Sequence, residues 1–323
     1  MRVGLSTFCL LSFCVFACSS LVGPTPCVAQ AGKTDVGAPI IMNFPTSYSM
    51  GELYVVRRSA SSNESEPGTT THSPARGRVV FAPGIRTILK IRYEGSQHMS
   101  DLDRLSPNSL FGINMKRLEV TDDDLKHVAR LTSLHHVELE GTDISTAGVK
   151  NLEPLKNLLF LGVDKTLIKG DALKSIGKHT TLVNLVIGHN DIDEECYKDL
   201  LGLKNLTNLQ VDNTHLSEKG FSYIVKLPNL LVIKMSGNNR ITDKTMAKLQ
   251  NTKIEALNVQ NTGVGPGSLP YFLKMPRLKH LKLEGRNFSP EQRKEFERKL
   301  PRVTLQFHGK ERDMPKELFE PLH

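Results

Sequence analysis

From Leu110 onward the apolar residues of this chain fall in one recurring frame. Leu110, Ile113 and Met115 are followed by Leu134, Val137 and Leu139, then by Leu158, Leu161 and Val163, and the same triplet returns from Leu182, Leu206, Leu230, Ile254 and Leu278. Eight starts spaced 24 residues apart define an internal repeat, which sets the architecture before any local motif is weighed. The frame extends back to Leu89 and Ile91 and forward to Leu305 and Phe307, where degenerate units close the two ends.

Within each triplet the last two apolar residues are two apart, the period of a short strand with one face inward. Eight residues after the first apolar position stand Thr142, Thr166, Asn190, Thr214, Asn238 and Thr262, small polar side chains suited to bond the backbone at a bend and to stack into a ladder. Two residues later the chain turns apolar again at Val120, Ile144, Ile168, Ile192, Leu216, Val264 and Phe288; the sixth unit, Asn238-Asn239-Arg240-Ile241, holds one extra residue. Helix-starting residues come next at Thr121, Ser145, Asp193, Ser217, Thr242 and Ser289. Thr121 with Asp124 has the pattern of a capping box, and Ser289-Pro290-Glu291-Gln292 puts Pro first and Gln third in a helix. Apolar residues at helical spacing follow, as in Leu125-Val128-Leu131 and Phe221-Ile224-Leu227. Each unit is therefore one strand and one short helix that cannot bury its apolar faces alone, so neighbours must stack.

The pattern L-x-x-L-x-L with Thr142-Asp143-Ile144-Ser145-Thr146-Ala147-Gly148-Val149 resembles the leucine-rich repeat family, in particular its bacterial extracytoplasmic members, over about two thirds of the chain. The resemblance implies an α/β class: a right-handed leucine-rich-repeat solenoid with a curved parallel sheet on the concave side and short helices on the convex side, about eight repeats plus degenerate caps. It differs from many members in having Thr in place of Asn at most ladder positions, and it lacks the cysteine-rich caps of many animal relatives. It says little about function, because sites are grafted onto such scaffolds.

The segments outside the frame carry different signals. Arg2 precedes an apolar run to about Gly23, and Ala29-Gln30-Ala31 is an A-x-A cleavage pattern, so residues 1–31 read as a secretory signal peptide. Val15-Phe16-Ala17-Cys18 also resembles a lipoprotein signal, which would anchor the chain through a lipid on Cys18; an uncleaved anchor is the third alternative. All three place the bulk of the chain outside the cytoplasm, secreted or at the cell envelope. Residues 32–85 form an N-terminal segment with strand-like runs at 52–58 and 78–81 around a Ser/Thr/Pro/Gly-rich loop at 59–74. Residues 86–109 read as an N-terminal capping repeat, 110–301 as the repeats, and 302–323 as a cap strand and charged tail.

Composition removes several function classes. The chain of 323 residues is 39% hydrophobic, enough for a real core. Its 42 Lys and Arg against 34 Asp and Glu are interspersed, so the net charge of +8 is a weak clue to partners. Four of the five cysteines, Cys9, Cys14, Cys18 and Cys27, lie in the export signal, leaving Cys196 alone and excluding an intramolecular disulfide in the mature chain. Cys196 falls in a helix with no base at hand and reads as a half-buried small apolar residue. His135-His136 lacks further metal ligands in neighbouring units and reads as a solvated or partner-contacting pair. Gly265-Pro266-Gly267-Ser268 has no phosphate-binding lysine and reads as a helix start. No catalytic residue, cofactor or metal site is assigned.

What stacking creates is a wall. Strand side chains alternate, so the outward columns include Asn114, Glu138, Gly162, Val186, Gln210, Lys234, Asn258 and Lys282, and beside them Lys116, Glu140, Asp164, Gly188, Asp212, Ser236, Gln260 and Glu284. Glu138, Glu140, Asp164 and Asp212 make an acidic centre, read as a solvated face whose sign disfavours nucleic acid. Leu159, Phe160, Val183, Val186, Leu231 and Val232 flank it, either as a contact patch or half covered by the preceding loops. The candidate partner-binding residues are His136, Glu138, Glu140, Phe160, Asp164, Val186, Gln210, Asp212, Lys234 and Asn258. The reading is a noncatalytic protein-binding module, with a peptide or glycan as the other partner classes and the membrane reached only through Cys18 or the N-terminal segment. The alternatives are a self-associating structural envelope protein and, third, an enzyme, for which only residues 32–84 and a short tail remain outside the repeats.

Overall fold

A computed structural model describes residues 38–56 and 72–308 of the protein. The signal peptide with Cys18, most of the 59–74 segment and the charged tail fall outside these residues. Strands β1 (Ile40–Asn43) and β4 (Arg78–Phe81) pair antiparallel as a small separate sheet. All other strands join one sheet of twelve: β2 (Gly51–Val56), β3 (His72–Pro74), β5 (Arg86–Ile91), β6 (Gly112–Asn114), β7 (His136–Glu138), β8 (Phe160–Gly162), β9 (Asn184–Val186), β10 (Asn208–Gln210), β11 (Val232–Lys234), β12 (Ala256–Val259), β13 (His280–Glu284) and β14 (Thr304–His308).

From β5 to β14 the sheet is parallel and each strand pairs with the next one in sequence. Leu89 lies opposite Ile113, then Val137, Leu161, Leu185, Leu209, Ile233, Leu257, Leu281 and Leu305. The register thus equals the sequence period. A slip by one residue would turn every apolar side chain to the outside, and the core forbids it. That core runs continuously along the stack: the frame residues from Leu89 to Leu283 and the second inward set, from Val120 to Phe288, are all buried, with Leu305 half-buried at the end.

The bends repeat as well. The Thr142, Thr166, Thr214 and Thr262 hydroxyls each donate to the carbonyl three residues back, at 2.6–3.0 Å. Asn190 and Asn238 go further, each donating to carbonyls in its own and the preceding unit (Val163 and Ile187; Val211 and Met235) while accepting from the Thr166 or Thr214 amide. The polar ladder predicted from the sequence is present, and its two asparagines stitch successive turns together.

Helix starts agree in part. Ser145 and Ser217 accept from Ala147 and Gly220 amides, and Thr242 and Ser289 close full capping boxes. Thr121 does not: Asp124 accepts from both its amide and its hydroxyl, so the hydroxyl is spent on the carboxylate and the helix starts only at Asp124. The Asp193 side chain caps nothing, and the helix expected around Cys196 is present as Glu194–Gly202, wound as a 3-10 helix. His72–Pro74 is a strand, not loop. Its pairing is a backbone matter that composition does not report, and Pro74 is tolerated because β3 is an edge.

The two ends are closed differently. At the first, β2 pairs antiparallel with all six residues of β5 and covers the open edge of the parallel stack. At the last, Phe288, Phe296 and Phe307 meet edge to face, with Phe288 centroids 5.1 and 5.2 Å from the other two, and shield the final leucines.

Candidate functional site

With residues 137 and 139 turned into the core, residues 136, 138 and 140 of the same unit stand on the open face, and likewise in every unit. Near β7 to β9 this face is closely packed. His136 stacks on Phe160 at a centroid distance of 4.2 Å and an interplanar angle of 11°. Gly162 lies against the Glu138 carboxylate, where a Cβ would be 2.2 Å from Oε1, and Gly188 meets Asp164 Oδ1 in the same way at 2.5 Å. The two glycines leave room for each carboxylate to lie flat across the next strand.

The strands end in a feature that the sequence reading missed. Arg117, Gly141, Lys165, His189, Asn213, Gly237 and Asn261, one per unit, all have φ between 50° and 73°. In all of these but Asn261 the twist lets the amide continue the parallel ladder after the strand, as in Arg117 N–H to Glu140 O (2.8 Å) and His189 N–H to Asp212 O (2.7 Å). Such a backbone favours Gly or Asn, so Arg117, Lys165 and His189 hold it at a cost of about 1 kcal/mol each. The signal was legible: Gly141, Asn213, Gly237 and Asn261 recur at the repeat period.

These left-handed residues and Lys116 fold over the carboxylates. Lys116 Nζ lies 3.3 Å from both Glu138 Oε2 and Glu140 Oε2. Arg117 and Lys165 reach Glu140 Oε1 at 3.4 and 3.6 Å, and Lys165 is also 3.5 Å from Asp164 Oδ2. His189 Nε2 accepts from Asn213 Nδ2 at 2.9 Å, which leaves Nδ1 to donate to Asp164 Oδ1 at 3.1 Å. Asp212 accepts the Ser236 amide at 2.6 Å.

The acidic centre is therefore not a solvated face. Glu138, Asp164 and Asp212 are only 3%, 5% and 8% exposed, and the groups that meet solvent there are the cationic tips above them. Burial pushes the Glu138 carboxyl above its usual range against the pull of Lys116. Glu140 is also raised by burial, but Lys116, Lys165 and Arg117 together outweigh that and hold it low. Burial raises Asp212 despite the Ser236 amide and Lys234.

The other candidates divide. His136 and Phe160 are buried in their stack, so they shape the face and do not project from it. His135 points elsewhere, stacked on Phe111 at 4.8 Å beneath Arg86, so the histidine pair does not act as one unit. Glu140, Val186, Gln210, Lys234 and Asn258 are half-buried along the face, with Lys234 Nζ 3.2 Å from Gln210 Oε1. Leu159 is exposed, and Val183, Leu231 and Val232 are half-buried. Cys196 is half-buried and burial raises its thiol pKa, away from nucleophilic character. Among the described residues no group of three or more His, Cys, Asp or Glu is placed to hold a metal ion, and no helix is long and apolar enough to cross a membrane.

No family model and no curated protein matches the chain. Among solved structures it is similar to the internalin InlF of Listeria monocytogenes, with 19% identity, a TM-score of 0.51, and coverage of 63% of this chain and 56% of that one. It is also similar to internalin C2 of Listeria monocytogenes (19% identity, TM-score 0.45, 57% and 83% covered) and to a leucine-rich repeat protein of Leptospira interrogans (18%, 0.44, 64% and 62%). The chain spans about half the length of the InlF structure. At these identities the likeness shows the fold alone, and that fold is the leucine-rich-repeat solenoid.

Proposed function

We propose that this leucine-rich-repeat solenoid is a noncatalytic recognition protein of the cell envelope that holds a protein partner against its parallel sheet. One observation carries the reading: inward positions repeat from unit to unit, whereas the outward ones run Glu138, Gly162, Val186, Gln210, Lys234, Asn258 without repetition. A regular frame bearing irregular chemistry suits reading one particular surface. Ten parallel strands about 4.8 Å apart give a wall on the order of 40 Å long, matched to a standard interface of about 800 Å² per partner.

The proposed contacts are Glu140, Val186, Gln210, Lys234 and Asn258, with His136, Glu138, Phe160, Asp164 and Asp212 as the packed floor that orients them. Residues 32–85 and 86–109 serve as the N-terminal closure and cap, and 302–323 as the other cap and tail. Export rests on the apolar run and the A-x-A pattern of residues 1–31, and mass spectrometry of the mature N-terminus tests it against lipidation of Cys18.

The test of the face uses residues that do not hold up the fold. Val186→Arg with Lys234→Glu is expected to remove the partners recovered by pull-down from the native envelope while leaving the thermal midpoint within a few degrees. Recovery of the same partners by this folded variant would show that the proposed wall is not the binding surface.

A further inference from the structure

Each unit returns from its helix to the next strand through a short loop, and these loops form one long edge of the solenoid. Over seven such returns (153–159, 177–183, 201–207, 225–231, 249–255, 273–279 and 297–303) the chain has eleven Lys or Arg and three Glu, and all eleven cations are exposed. Among the described residues the ion pairs that bind these cations are Lys178–Glu153, Lys279–Glu255 and Lys299–Glu295. Cations just past the helix ends, such as Lys178, Lys204 and Lys226, also serve the helix dipole. Lys156, Lys253, Arg277 and Arg302 lie three or more residues beyond the helix ends, where the dipole does not account for them.

The loops that carry these charges are tied to one another by side-chain hydrogen bonds. Asn157, Thr181, Asn205 and Asn229 donate to the carbonyls of Thr132, Lys156, Thr180 and Lys204 in the preceding return, at 2.9–3.4 Å. A second ladder thus ties the returns together and occupies one carbonyl at each of these four steps. Midway along the edge a cleft of about 220 Å³ opens between the neighbouring returns 225–231 and 249–255. Leu227, Pro228, Leu230 and Leu249 give it an apolar floor, with Lys226 and Lys253 at its walls.

We propose that this edge is a docking surface for an acidic polysaccharide, with one sugar ring seated in the cleft and the carboxylates or sulfates of its neighbours on the lysine row. Lys156 and Lys204 occupy the same position two units apart, about 9.6 Å at the strand spacing. That matches the repeat of a glycan carrying one anion per disaccharide. An extended peptide advances about 3.4 Å per residue, so its same-side charges come about 6.8 Å apart and drift out of register. A row one loop wide also offers little to a flat bilayer. The surface is separate from the proposed protein-binding wall, so the two stand or fall independently.

The probe is a labelled hyaluronan decasaccharide, which carries one carboxylate per disaccharide. The full mature chain is expected to bind it, with affinity that falls steeply as salt rises. Lys156→Gln with Lys204→Gln and Lys253→Gln is expected to weaken binding tenfold or more without moving the thermal midpoint. Lys150→Gln with Lys174→Gln and Lys244→Gln, on the helix faces, is expected to leave it unchanged. Absence of binding at low salt overturns the proposal. So does equal loss in the helix-face variant, or equally tight binding of a polyglutamate decamer, phosphatidylserine vesicles or oligodeoxythymidine.

Discussion

His179 stands in a slot that belongs to leucine. Leu131, Leu155, Leu203 and Leu227 fill the same position in other units, and His179 is as buried as they are, 1% exposed. Its Nδ1 donates to the Leu155 carbonyl at 2.9 Å, but Nε2 is buried with no partner. A desolvated, unsatisfied acceptor costs about 1–3 kcal/mol. His179→Leu removes that cost and adds apolar burial, while leaving the Leu155 carbonyl without a donor at a cost of about 1 kcal/mol, so the net at pH 7.5 is a gain of about 1 kcal/mol. The pH dependence is the sharper measure. Burial lowers the His179 pKa, so below an unfolded value of about 6.5 the unfolded chain takes up a proton that the native chain refuses. Native stability therefore falls with acidification, by up to about 1.4 kcal/mol per pH unit until the folded pKa is reached. The variant escapes this loss, and its advantage should widen from pH 7.5 to 5.5. His280, which burial also lowers, is common to both proteins and cancels in the difference. Urea unfolding at pH 7.5, 6.5 and 5.5 measures it. A stability difference that stays constant across this range would refute the buried neutral imidazole.

Further outcomes follow from the open face. Glu138→Gln should flatten the stability profile just above pH 4.5: the wild-type carboxyl, raised by burial, binds its proton before the unfolded chain does, so wild-type stability rises as pH falls through that window and the amide lacks the effect. Denaturant midpoints at pH 4.5, 5.5 and 6.5 check the sign. The Lys165 backbone sits at φ 53°, a state that a β-branched side chain resists, so Lys165→Ile should destabilise by roughly 1 kcal/mol or somewhat more. Lys165→Asn should be nearly neutral in the same melting experiment.

Reading the sequence worked wherever one residue type answers to one position along the stack. The strand frame, the ladder from Thr142 to Thr262, the second inward set and the Ser289 capping box depend on local chemistry repeated at a fixed interval, and all were legible. It failed where a side chain crosses between units. Nothing at Glu138 or Asp164 announces that glycine in the next unit gives the carboxylate a place to lie flat, so three buried acids read as a solvated patch. The His136–Phe160 stack escaped notice for the same reason, since its partners are a full repeat apart. Arg117, Lys165 and His189 were hidden because they occupy a backbone state for which Gly141 and Asn213 are the visible markers.

The amino-acid order alone determined that this chain is a stack, because a unit with apolar faces on both its strand and its helix has no stable state by itself. It also determined the register, since the period of the leucines leaves one alignment that keeps all of them dry. Which charges meet solvent was decided only by the tertiary structure. Exposure on an open sheet depends on what the neighbouring unit lays across it, and that neighbour is set by stacking, not by proximity along the chain.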